Sequence, residues 1–140
     1  MAAHVMVRRV AAVEATIKRF EGKPLAYGRD DCARMAAFCL RKLGVKASLL
    51  KAGAYRSALG ARRALMTLGY SNLEDAVDGL GLPRIAPATA LPGDILALQG
   101  EDGVALCVAI GNGRALGFWA SSGVCTVIQP LEYVAAWRSI

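Results

Sequence analysis

The chain has 140 residues, of which 55% are hydrophobic and 20% charged, with a formal net charge of +6. That length suits one domain over residues 1–140 with a core of ordinary size, needing neither metal nor disulfide staples. Charges interrupt every apolar stretch before it reaches the about 18 residues that a membrane span requires. Residues 1–63 hold fourteen Lys or Arg against four Asp or Glu, and the rest hold three against seven. Such a basic half suits a solvated helical surface or an anionic partner. Aromatic residues are too sparse among the cations for a nucleic-acid platform, so no specific nucleic-acid role is expected.

In chain order, Val10, Val13, Ile17 and Phe20 recur at helical spacing within about 5–20, with Arg9, Glu14, Lys18 and Arg19 left for the outer surface. The charges in this stretch argue against a cleaved signal peptide. The helix should stop near Gly22 and Pro24. Asp30 is the expected N-cap of a second helix reaching Leu43, with Met35, Ala36, Cys39, Leu40 and Leu43 inward and Gly44 as its stop. Cys32 then lies in the first turn. Two shorter helices follow, at Ser57–Leu68 and Asn72–Leu80.

Past Pro83, Pro87 and Pro92 the pattern changes. Asp94–Leu98, Val104–Ile110, Arg114–Trp119 and Val124–Ile128 read as strands rich in β-branched and aromatic residues. Gly111-Asn112-Gly113 is a hairpin signal, and Glu101-Asp102-Gly103 a turn. Asp94, following Pro92-Gly93, reads as a turn residue that holds backbone N–H groups. Helices followed by an antiparallel sheet of about four to five strands make an α+β domain. Cys32, Cys39, Cys107 and Cys125 lack metal-site or redox spacing, so they read as free thiols, with no metal and no cofactor expected.

Cys32 is the residue with chemistry. A helix N-terminus presents unpaired N–H groups and the positive end of a dipole, which favour a thiolate. Asp30 and Asp31 oppose that effect, and Arg29 and Arg34 support it. The single histidine, His4, sits near the start of the chain.

Taken in order, Pro24-Leu25-Ala26-Tyr27-Gly28, Asp31-Cys32, Leu91-Pro92-Gly93-Asp94-Ile95-Leu96 and Gly111-Asn112-Gly113 resemble the NlpC-type family of papain-like cysteine peptidases, which cleave bacterial cell-wall peptides. The aromatic-glycine element close before Asp-Cys also resembles small phage and prophage proteins of this fold. The resemblance implies N-terminal helices packed on a C-terminal antiparallel sheet, with Cys32 at the nucleophile position. It places the catalytic histidine at Ala105 and the polar residue that orients it at Gly117. Neither position carries such a group.

The expected function is therefore a catalytically degenerate NlpC-type domain acting as a phage or prophage tail-associated structural or binding protein. Its partners would be other tail or baseplate proteins and a cell-wall peptide, in an oligomer within the tail. Its location would be the virion tail, or the bacterial cytoplasm during assembly. The alternative is an active cysteine peptidase or amidase of cell-wall peptides, using Cys32 with a base that the sequence does not reveal.

Overall fold

The computed structural model describes residues 4–49, 53–100, 103–119 and 122–140. Helices α1 (Val5–Phe20), α2 (Cys32–Lys42), α3 (Ala58–Thr67) and α4 (Leu73–Asp78) precede strands β1 (Ile95–Gly100), β2 (Gly103–Gly111), β3 (Arg114–Phe118), β4 (Cys125–Ile128) and β5 (Ala135–Trp137). The strands form one antiparallel sheet in the order β4-β3-β2-β1-β5, so the α+β expectation holds. Strand β5, only three residues long, was too short to stand out in the sequence. Glu101 and Asp102 of the expected turn lie outside the described residues.

Local chemistry accounts for these boundaries. Ser57 and Asn72 cap α3 and α4 by accepting from the backbone N–H three residues on. Asn112 and Gly113 both take positive φ, 56° and 73°, as a two-residue hairpin between β2 and β3 needs. The expected cap of α2 is corrected by one residue. Asp30 is bonded through its backbone to Ala26 in both directions at 2.8 Å, which closes a tight turn and leaves Asp31 to cap the helix through Arg34 N–H. Cys32 is thus the first residue of α2.

One face of the sheet packs Ile95, Ala97, Leu106, Val108 and Leu116 under α1 and α2. The other buries Leu96, Leu98, Cys107, Ala109, Ala115 and Ala136 beneath Ile85, Ala90, Trp119 and Tyr133. Because both faces are covered, the strands read as nearly unbroken apolar runs.

The inward face of α1 differs from expectation. Arg9 is fully buried and Val10 exposed. The physical reason is Asp94, itself fully buried. Its Oδ1 accepts from Arg9 Nη1 at 2.9 Å and from Ser139 N and Oγ, while its Oδ2 accepts from Arg138 Nη1 at 2.7 Å and Leu91 N at 2.8 Å. Asp94 therefore does hold a backbone N–H of its turn, and it also ties α1 and the segment after β5 to the start of β1.

Candidate functional site

The site begins with the loop that leads into α2. Asp31 is 3% exposed, and its second carboxylate oxygen accepts from Gly28 N at 2.7 Å and from the Tyr55 hydroxyl at 2.5 Å. Gly28 has φ +87°, and a Cβ there would stand 2.3 Å from the Tyr55 carbonyl oxygen. Only glycine meets both demands. Gly53 N donates to Gly28 O at 2.9 Å. One buried carboxylate thus caps the helix, fixes the loop and anchors Tyr55, which sets Cys32 in place.

Cys32 lies half-buried in a cleft of about 880 Å³. One wall comes from α3 and the start of α4, including Ala61, Arg62 and Leu73. The other comes from the ends of β1, β2 and β3, including Leu98, Val104 and Phe118, with Trp119 beyond. That volume is of small-ligand size. Arg62 is the one Lys or Arg among its described lining residues, and no histidine is among them.

Burial pushes the Cys32 thiol up to about 11, and the Asp31 carboxylate pushes the same way. Against them, the backbone N–H groups of Leu106, Ala33 and Cys32 itself favour the thiolate. Desolvation wins, and Cys32 is a neutral thiol at physiological pH. Burial likewise raises Cys39 to about 11 and Cys125 to about 12, and raises Cys107 further. All four cysteines are free. Burial also raises Tyr55, and so does its hydrogen bond to Asp31.

Of the residues singled out from sequence, Cys32 and Ala105 come together. Both line the cleft, and the thiol meets the N–H of Leu106, the neighbour of Ala105 in β2. Gly117 is not among the described lining residues. A Cβ at Gly117 would stand 2.9 Å from Cys107 Sγ and 3.4 Å from Trp119 Nε1, so the indole and the thiol fill the room a side chain would need. Trp119 Nε1 is buried without a hydrogen-bond partner. His4 lies elsewhere, its Nδ1 accepting from Met6 N at the start of α1.

Sequence reading missed Tyr55, Trp119 as a cleft wall, and Arg62. Tyr55 lies between Gly53 and the Ser57 cap, with no periodic neighbours to mark it as buried. Among the described residues, no group of three or more His, Cys, Asp or Glu is placed to hold a metal. No helix among them is long and apolar enough to cross a membrane.

The four helices and the five-stranded antiparallel sheet that frame this cleft match the fold of solved NlpC/P60 structures. Residues 7–139 match the family described as Domain of unknown function (DUF6950), and the chain belongs to that family. Solved structures of the same fold include an NlpC/P60 family protein from Bacillus cereus, with 14% identity, a TM-score of 0.54 and coverage of 93% of this chain and 40% of that one. Others are NlpC1 from Trichomonas vaginalis, with 16% identity, a TM-score of 0.58 and coverage of 99% and 45%, and the peptidoglycan hydrolase RipB from Mycobacterium tuberculosis, with 17%, 0.59, 100% and 69%. The chain therefore spans less than half the length of the first two. At these identities the likeness is one of fold. No curated protein matches the chain in sequence.

Proposed function

We propose that the Cys32 cleft receives a short extended peptide of the kind found in bacterial cell walls, and that the chain acting alone holds it without cutting it. One observation carries this reading: an apolar-walled cleft of ligand size ends on a thiol that keeps its proton to about pH 11, with no imidazole among its described walls. Attack on a peptide bond needs a thiolate and a group that takes and returns the proton. Burial keeps that thiol protonated at pH 7. Holding a peptide needs neither. The crowding at Gly117 supports the same reading, since that position has no room for an orienting side chain. The proposed setting is a phage or prophage tail, with residues 1–140 as a single structural or binding domain among tail or baseplate proteins.

A second reading is favoured by the likeness to a peptidoglycan hydrolase and by the three backbone N–H groups that meet the sulfur. Here Cys32 is the nucleophile of a cell-wall peptidase or amidase, and a neighbouring subunit supplies the base. Calorimetric titration with a purified muropeptide, followed by chromatography of the mixture, separates the two. Binding without cleavage, retained in Cys32→Ala, supports the holding role. Cleavage abolished in Cys32→Ala establishes the peptidase instead, and absence of both binding and cleavage overturns both readings.

A further inference from the structure

The loop that brings Tyr27 and Asp31 to the cleft has a second side. There Lys18, Arg19, Lys23, Pro24, Arg29 and Asp30 line an open concavity of about 680 Å³. Arg19 Nη1 reaches Asp30 Oδ1 at 2.9 Å, and Arg29 Nε reaches Oδ2 at 3.3 Å. Asp30 is 6% exposed, so one buried carboxylate orients two guanidinium groups. Arg19 also stacks 4.4 Å above the Phe20 ring. Lys23 is fixed through its backbone, donating to Phe20 O at 3.0 Å and accepting from Cys125 N at 2.8 Å. Among the described residues, Lys18 and Lys23 form no ion pair.

Two guanidinium groups thus meet one carboxylate and two lysines line the same concavity, leaving a surplus of three positive charges there. Each guanidinium has five N–H donors, and Asp30 takes one from each. The remaining donors and the two lysines are contributed by α1, by the segment that follows it and by the loop before α2. A planar carboxylate meets one such fork, whereas a tetrahedral phosphate offers oxygens to several. The concavity is too open to enclose a small ion, so its affinity must come from repeated charges along one ligand. The geometry points to a binding site for phosphate groups carried on a chain. The site stands apart from the Cys32 cleft and does not depend on what that cleft does.

The test is calorimetric titration of the full chain with linear polyphosphate and, separately, with inorganic phosphate. Polyphosphate binds, inorganic phosphate binds at least about a hundredfold more weakly, and Lys18→Gln or Lys23→Gln each weakens the polymer about tenfold. Lys46→Gln removes the same charge from an exposed position elsewhere and changes affinity less than about twofold. Cys32→Ala leaves polyphosphate binding unchanged, which separates this site from the cleft. No polymer binding at low salt, or an equal loss in Lys46→Gln, overturns the proposal, and equal affinity for free phosphate overturns its chain form.

Discussion

At the Asp94 end of β1 five donors converge on one carboxylate that ties α1, the Leu91 turn and the segment after β5 together, whereas about 13–20 Å away, at Leu98–Gly100, the same strand walls an open cleft. At the first end, buried charge is matched within the chain. At the second, a neutral thiol and the unpaired Trp119 N–H are left among apolar walls. One strand serves both ends because their demands are opposite: the closed end supplies the rigidity that lets the open end leave groups unmatched.

Asp94→Ala should break the closed end. It strands Arg9 in the core and should cost about 3–5 kcal/mol, read as a lower urea midpoint. A smaller loss, near 1 kcal/mol, would mean that water reaches Arg9 and the two ends are less different than described. Gly28→Ala tests the loop that positions Cys32. The positive φ and the clash with Tyr55 should remove roughly 2–3 kcal/mol, and peptide affinity should fall with it.

The thiols sharpen the contrast through pH. A native thiol pKa raised above the ordinary 9.0 means that the unfolded chain releases its proton first. Stability is therefore full below pH 9 and declines as pH rises through about 11, a trend that urea midpoints across that range should follow. Alkylation of Cys32, followed by mass spectrometry, should be slow at pH 7 and gain about tenfold per pH unit. Rapid labelling at neutral pH would sink the neutral-thiol description. The smallest effect belongs to Ser57→Ala, which removes the cap of α3 and should cost about 1 kcal/mol. Because α3 buries only Leu65 among its described residues, the change should weaken peptide binding more than it lowers the midpoint.

Much of the architecture was legible because its signals are local. Helix starts at Ser57 and Asn72, the Gly111-Asn112-Gly113 hairpin and the helical spacing of the apolar residues of α2 each involve residues a few positions apart. What escaped depends on distant partners. Arg9 reads as a surface cation until Asp94, 85 positions later, is placed beside it. Tyr55 reads as a loop residue until Asp31 accepts its hydroxyl. Asp30 reads as the cap of α2 until the tight turn back to Ala26 engages its backbone and leaves the cap to Asp31. The location of Cys32 at a helix head was readable, but its ionisation was not, because desolvation depends on walls contributed by four separate segments.

The packing at Gly117 has a practical side for protein engineers. Any larger residue there collides with Cys107 and crowds Trp119, so stepwise variation at this one position passes only through damaged intermediates. A library meant to endow the cleft with new chemistry should therefore randomise 105, 107, 117 and 119 together.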